Sequence, residues 1–475
     1  MRSSPRRLTA AIAVLALAAV APRSSGTQAQ GLQPDKPNII VILADDLGYG
    51  DVGFNGGKDI KTPNLDALAA SGARLTHLYV QPVCSPTRAA LLTGRYPMRH
   101  GLQVGVVRPW AQYGLPLAER TLPQALKDAG YATALIGKWH LGHFQRAYLP
   151  TSRGFDRQYG HYNGQIDYFT HFRESGFDWH RDDKAAYDEG YSTHLLAREA
   201  VRFIREASAA RPFFLDVSFN AVHAPLQVPD EYKAPYAHLQ EPRRTYAGML
   251  AAMDEAVGQI VAALKDKGVL ANTLIVFSSD NGGPQPGVVT DNGHLRAGKA
   301  TLYEGGVRAA AFATWSGRIK AGTTVDAPLH IVDWYPTILK LAGAPSAQDQ
   351  PIDGLDIWPS LTAGRPSPHP EILLNATPRT GAIRVGSWKL VLNGQMAASE
   401  MLEIEKGGAV PTGPETVELF DLTEDPAEKT NLAAGHPEKV KELRARYDAL
   451  ASQALPPRIK PRAPDFTVPK IWGER

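Results

Sequence analysis

Lys36-Pro-Asn-Ile-Ile-Val-Ile-Leu-Ala44 is a continuous, largely β-branched apolar run, and it ends abruptly on Asp45-Asp46. A strand with one wet face alternates apolar and polar residues, whereas an unbroken run is the pattern of a strand covered on both faces of a parallel sheet. Three more runs end on polar residues in the same way. Tyr131 to Gly137 leads to Lys138 and His140, Pro212 to Phe219 leads to His223, and Thr273 to Phe277 leads to Asp280-Asn281. Between the runs lie segments of helical period, Asn64 to Ser71, Thr121 to Ala129, Thr193 to Ala207 and Arg243 to Lys267. Alternating strand and helix predict an α/β fold with a large, mainly parallel sheet flanked by helices. Such sheets place their ligand crevice at the carboxyl ends of the strands, so four strand ends are expected to meet at one site.

Ile331 to Gly343 reads as a further helix closed by glycine. After Gly354 the texture changes. Gly381 to Leu392 and Val417 to Leu422 read as short antiparallel strands, and Pro437 to Gln453 as an amphipathic helix. The expected organisation is a main domain over 36–354, a smaller C-terminal subdomain over 355–455 and a proline-rich tail over 456–475 that carries no reading of its own. Residues 1–29 read as an export signal: Arg2, Arg6 and Arg7 precede the apolar run Leu8 to Ala21, and small residues surround Ala29. The apolar run is short for a membrane span, and no second long one follows, so an exported protein without stable membrane insertion, periplasmic or secreted, is expected. Arg6-Arg7 also raises the twin-arginine export route. A net charge of +3 with mixed signs gives no footprint for nucleic acid.

The single cysteine of the chain lies in Pro82-Val-Cys-Ser-Pro-Thr-Arg-Ala-Ala-Leu-Leu-Thr-Gly94. Pro86 suits a first helical turn, which puts Cys84 at the N-terminal mouth of a helix, facing free N–H groups, with the charge of Arg88 about one turn on. A lone cysteine is ordinarily a small buried hydrophobe; these flanks argue otherwise. Asp45-Asp46 and Asp280-Asn281 offer hard oxygen donors from two separate strand ends, which suit Ca²⁺ or Mg²⁺ better than zinc.

Cys84-Ser-Pro-Thr-Arg88 with Leu-Leu-Thr-Gly-Arg95 resembles the signature of the type I sulfatases, and Gly130-Tyr-Ala-Thr-Ala-Leu-Ile-Gly-Lys-Trp-His140 resembles that family's second signature. The resemblance implies the alkaline-phosphatase-like sulfatase fold, a smaller C-terminal antiparallel sheet with a helix, and sulfate ester hydrolysis. It implies that a formylglycine-generating enzyme oxidises Cys84 to formylglycine, whose hydrate is the nucleophile. Carried over residue by residue, it places a metal on Asp45, Asp46, Asp280, Asn281 and the modified Cys84, with Ca²⁺ favoured over Mg²⁺ for its tolerance of crowded, irregular oxygen shells. Arg88 would hold the hydrate and Asp280 assist its deprotonation. Lys138 and Lys299 would neutralise sulfuryl oxygens, His223 protonate the departing alcohol and His140 take the second hydroxyl's proton. Ala297-Gly298 departs from the two glycines the family often shows before Lys299. Stretches such as His223 to Tyr232 and Tyr246 to Gly258 look closest to the arylsulfatase B branch, implying a sulfated sugar of the N-acetylgalactosamine 4-sulfate type alongside aryl sulfates. Two rival readings stand beside this one: a phosphomonoester or phosphonate monoester hydrolase of the same superfamily, and a sulfated-glycan-binding protein whose cysteine is never oxidised.

Overall fold

In the computed structural model, which describes residues 36–345, 348–395 and 413–474 with the single positions 1, 403 and 406, the run from Lys36 forms β1 (Asn38–Ala44). The expected export signal falls, apart from Met1, outside the described residues. The other apolar runs form β2 (Ala132–Lys138), β4 (Phe213–Ser218) and β5 (Thr273–Ser279), and a strand that the sequence did not announce, β3 (Arg157–His161), joins them. In space the order is β5-β1-β4-β2-β3, every pairing parallel. Toward both margins the ten-stranded sheet turns mixed: Ala311–Thr314 runs antiparallel to β5 and His180–Arg181 antiparallel to β3. The expected parallel sheet is therefore its centre.

Burial explains the unbroken run of β1. Ile39, Val41 and Leu43 face one core while Ile40, Ile42 and Ala44 face another, each 1% exposed or less. Each large side chain so placed contributes roughly 1.5–3 kcal/mol relative to exposure. The first core is closed by α1 (Cys84–Thr93) and by the helices Leu122–Asp128 and Trp334–Leu341. The second is closed by Pro63–Ala70, Ser192–Glu206 and α2 (Arg243–Asp266). By length and composition α2 could cross a membrane, yet Met249, Leu250, Met253, Val257, Ile260 and Leu264 are buried in the second core. Gly94 ends α1 with φ 69°, a left-handed conformation suited to glycine. The helix expected from Ile331 divides into a 3-10 turn, Ile331–Asp333, and the helix from Trp334, because the His330 and Asp333 side chains cap the turn.

The C-terminal part forms the expected antiparallel sheet and helix, the sheet having four strands, Ile372–Ala376, Gly381–Val385, Trp388–Leu392 and Val417–Asp421, and the helix running over Pro437–Ala451. The tail carries more structure than its sequence suggests. Leu455 N–H donates to Met98 O and Arg458 N–H to Gly101 O, both at 2.8 Å, and Trp472 is 1% exposed.

Two buried histidines make the fold acid-sensitive. Burial, aided by Arg95 and Arg458, lowers His100 to about 3, and burial with His369 lowers His330 to about 3. Below about pH 6.5 the unfolded chain takes up these two protons and the folded chain does not, so stability present above that pH is lost as pH falls toward 3. Each group accounts for about 1.4 kcal/mol per pH unit in that window. Urea unfolding at pH 7.5 and 5.5 is expected to show the loss, and His100→Leu to reduce the difference by about 1.4 kcal/mol. An unchanged difference in that variant refutes the assignment.

Candidate active site

The strand ends converge as expected. Asp45 and Asp46 follow β1, Lys138 is the last residue of β2 with His140 just beyond, His223 follows β4, and Asp280-Asn281 follow β5. Cys84 opens α1, preceded by the extended cap Val83, and its Sγ–H donates to Asp45 Oδ1 at 3.4 Å. The carboxylates and the cysteine are deeply buried. Asp45, Asp280 and Asn281 are 0% exposed and Cys84 is 2% exposed.

Three carboxylates here face three permanent cations. Lys138 Nζ lies 2.5 Å from Asp45 Oδ2, Lys299 Nζ lies 2.6 Å from Asp46 Oδ1, and Arg88 grips Asp280 Oδ2 through Nη2 at 2.8 Å and Nε at 3.2 Å. Arg88 Nη1 also donates to Lys138 O at 3.0 Å, tying α1 to the end of β2. Burial raises the Asp45 carboxyl, but Lys138, His223, Arg88 and Lys299 outweigh it and hold the group well below the carboxylate range. Asp46 is lowered likewise, Lys299 and His223 overcoming burial. Asp280 moves the other way: burial first, then the charge of Asp45, push it to about 6 against Arg88. Burial and then Asp280 push the Cys84 thiol well above its ordinary value, despite Lys138 and Lys299. Such a thiol stays protonated at neutral pH and is a weak nucleophile.

His140 holds a left-handed backbone, φ 58°, fixed by its N–H on Tyr162 O at 3.0 Å and by Ser85 Oγ–H on its carbonyl at 2.8 Å. Its imidazole fits against Gly164, where an added Cβ would come within 2.4 Å of Cε1. Burial, then Lys138 and Arg88, keep the ring well below its usual pKa, and its buried Nδ1 has no hydrogen-bond partner among the described residues. His223 Nδ1 pairs with Ala224 O at 2.5 Å, which leaves Nε2 facing Asp46 Oδ2 at 3.5 Å. Burial lowers this histidine although Asp46 opposes the shift. A cavity of about 330 Å³ opens onto Cys84, His140, His223 and Lys299, and its lining includes Arg108, Gln165, Arg173 and Gln285. These four stand outside every sequence motif, Arg173 on the short strand Phe172–Arg173 and the other three on loops.

The residues fit a hard cation. Donor atoms of Asp45, Asp46, Cys84 and His223 lie within 4.8 Å of one another. Asp280 and Asn281 flank this cluster: Asp46 N–H donates to Asp280 Oδ1 at 3.3 Å, and Asn281 Nδ2 to Asp46 Oδ1 at 2.7 Å. Asn281 Oδ1 is left buried without a donor among the described residues. A buried acceptor with no donor is costly, and a cation would satisfy it. Three of the five expected ligand residues thus cluster directly, joined by His223, and the other two stand against them.

Ala297 occupies the position where a glycine was expected, with φ 58°, and Lys299 still reaches Asp46.

A family model described as Sulfatase matches residues 37–344. Arylsulfatase J of Mus musculus is 38% identical over 92% of this chain and 80% of its own length. N-acetylgalactosamine-6-sulfatase of Canis lupus familiaris is 36% identical over 71% and 68%, and arylsulfatase A of Homo sapiens 35% identical over 84% of each. Among solved structures, Ps i-CgsB in complex with k-i-k-neocarrahexaose superposes with a TM-score of 0.79 at 35% identity, covering 89% of this chain and 94% of that one. The PsFucS1 sulfatase from Pseudoalteromonas sp. gives a TM-score of 0.71 at 30% identity, covering 88% and 91%. With this family comes the implication of a metal ion and of a formylglycine made from cysteine, for which the Asp45-Asp46-Cys84 cluster provides the place. The chain belongs to the sulfatase family and is a sulfuric ester hydrolase.

Proposed function

We propose that the chain, exported to the periplasm or beyond, desulfates sulfated sugars, cleaves small aryl sulfates more slowly, and has N-acetylgalactosamine 4-sulfate as its first-choice substrate. The observation that carries this reading is Cys84, held at the cavity floor between three carboxylates and three cations. A sugar is supported by the neocarrahexaose bound to Ps i-CgsB and by the N-acetylgalactosamine-6-sulfatases among the relatives. The 4-position rests on the arylsulfatase B resemblance alone.

In this reading a formylglycine-generating enzyme oxidises Cys84, and the aldehyde hydrate supplies two hydroxyls, one to attack sulfur and one whose deprotonation later expels sulfate. Asp280, near neutrality at about 6, receives the first proton. Arg88 orients the hydrate, and Lys138 and Lys299 neutralise the sulfuryl oxygens as charge builds, a role worth about 3–4 kcal/mol per well-placed donor. His223 Nε2, on the cavity side, protonates the departing alcohol, and His140 takes the second hydroxyl's proton. Asp45, Asp46, Asp280, Asn281 and the oxidised residue 84 would hold one divalent cation, Ca²⁺ in preference to Mg²⁺, which would withdraw charge from the sulfate oxygens when bound.

Cys84→Ser leaves one hydroxyl where the hydrate has two. It is expected to release at most one equivalent of alcohol per site and to retain sulfate on residue 84, read by peptide mass spectrometry, which in the active wild type finds formylglycine there. Sustained turnover by the serine variant near the wild-type rate refutes the role of the aldehyde.

Elemental analysis is expected to find about one calcium per chain. Chelation should abolish activity and lower the thermal midpoint, since a bound ion stabilises the folded state. Metal-free protein with full activity excludes the ion.

Gly164→Ala should displace the His140 imidazole, the movable partner in that contact, and cost on the order of 100-fold in kcat, with little change in stability. Wild-type kcat in that variant removes His140 from the reaction.

A further inference from the structure

Two arginines to which the proposed reaction gives no role line the same cavity. Arg173 belongs to the short hairpin Phe172–Arg173 with Gly176–Phe177, and Arg108 to the loop after Val107. Both line the cavity together with His140 and Gln165. Arg173 Nε is buried with no hydrogen-bond partner among the described residues. Burial lowers its pKa in spite of Glu174, and the charge of Arg108 lowers it further, so the two guanidiniums feel each other. Arg108 is also among the charges that depress His140. A buried guanidinium N–H with no acceptor is costly, and an anion entering the cavity beside Arg173 would satisfy it.

The hairpin is held firmly. Trp472 Nε1 donates to Arg173 O at 3.1 Å, Phe177 N–H to Lys470 O at 2.9 Å and Trp472 N–H to Phe177 O at 2.9 Å. An added Cβ at Gly176 would come within 2.6 Å of Trp472 Nε1, so the tail lies directly on the hairpin backbone. A guanidinium presented from a clamped element loses little freedom on binding, and its planar fork matches sulfate and carboxylate oxygens two at a time.

We propose that Arg108 and Arg173 form a second anion subsite, distinct from the position of the scissile sulfate, which takes a further sulfate or carboxylate of the saccharide. The preferred substrates therefore carry at least two negative groups, and small aryl sulfates leave the subsite empty. This rests on the sulfated-sugar reading above.

The test is competitive inhibition of 4-nitrophenyl sulfate hydrolysis, so it reads out whether or not each sugar is itself turned over. N-acetylgalactosamine 4-sulfate is compared with the 4,6-disulfate and with a disaccharide joining the 4-sulfate to a uronate. In the wild type the second anion is expected to lower the inhibition constant at least tenfold. The compound that gains identifies the source of that anion, whether sulfate on the same ring or carboxylate on the next. Arg173→Gln should collapse the gain to about twofold or less, Arg108→Gln should reduce it, and Arg173→Lys should retain part of it, with thermal midpoints confirming folded protein. An equal gain in wild type and Arg173→Gln, or no gain in the wild type with either doubly charged sugar, overturns the subsite. Failure of every sulfated sugar both to inhibit and to be hydrolysed, while 4-nitrophenyl sulfate is cleaved, overturns the sugar reading and the subsite with it. Inhibition by the monosulfated sugar without further gain overturns the subsite alone.

Discussion

Three carboxylates share a deeply buried space at the carboxyl edge of the sheet, and their mutual repulsion is the constraint around which the rest of the molecule is arranged. At about 4 Å, two like charges repel by roughly 4 kcal/mol even at an effective dielectric constant of 20. Each therefore needs a cation, and the chain brings one to each from a different element: Arg88 from α1 to Asp280, Lys138 from the end of β2 to Asp45, Lys299 from a loop to Asp46. These elements can meet only if β1, β2 and β5 lie in the observed order and α1 packs across them. The backbone bends to serve the same end. Asp46, His140, Ala297 and Ala300 all have positive φ, a conformation that costs side-chain-bearing residues on the order of 1–2 kcal/mol each. Such strain persists where surrounding contacts overdetermine it. Here Asp46 N–H bonds Asp280, His140 N–H bonds Tyr162, and Ala300 N–H bonds Pro82 O at 2.8 Å.

The last of these bonds links the Lys299 loop to the segment carrying Cys84, and a second buried ionic group supports the loop from behind. Lys389, on the C-terminal sheet, binds Glu304 at 2.9 Å and Glu428 at 2.8 Å, all three out of water, while Tyr79 O–H donates to Glu304. Burial pushes Glu428 up to about 7 although Lys389 opposes it, whereas Glu304, with Lys389, Arg308 and Arg384 around it, overcomes burial and is held down at about 2. One lysine serves two glutamates unequally. Its loss would strand buried charge, a defect of roughly 3–5 kcal/mol located just beyond the loop that delivers Lys299. The small sheet thus supports the Lys299 loop, and among the described residues it contributes no side chain to the cavity.

What was legible in the sequence follows from this division. Runs buried on both faces announce themselves by composition, so β1, β2, β4 and β5 were readable, and the polar residues at their ends pointed to one place. β3 was not readable, because Arg157-Gln-Tyr-Gly-His161 has no apolar pattern and its placement depends on tertiary contact. At Gly160 an added Cβ would fall 2.3 Å from Gly137 O, so close approach of two backbones, not hydrophobicity, selects that strand. The ion-pair partners of Lys389 and the wall formed by Arg108 and Arg173 were hidden for a related reason: they join residues far apart in the chain and repeat no local pattern. The tail misled most. Proline-rich and without periodicity, it still positions a tryptophan whose single N–H fixes the hairpin that bears Arg173.

The depth of Cys84 constrains the order of events in the life of the protein. At 2% exposure, with its thiol on Asp45 and α1 locked to β2 through Arg88, position 84 is open only to what enters the cavity of about 330 Å³ above it, a space for a small molecule and not for the catalytic centre of another protein. The thiol is also protonated there, its pKa raised by burial and Asp280, so oxidation within the finished site would have to act on its least reactive form. In the proposed reading, where Cys84 is oxidised, that step would therefore precede closure of the fold, while Pro82 to Arg95 is still an extended chain. That order bears on export. A Sec-type route threads the chain unfolded and leaves position 84 accessible on the far side, whereas a twin-arginine route, which Arg6-Arg7 would suit, carries a finished fold and requires the oxidation to be complete before departure. The same burial that makes the site strong as an electrostatic device thus limits when the proposed nucleophile could be made.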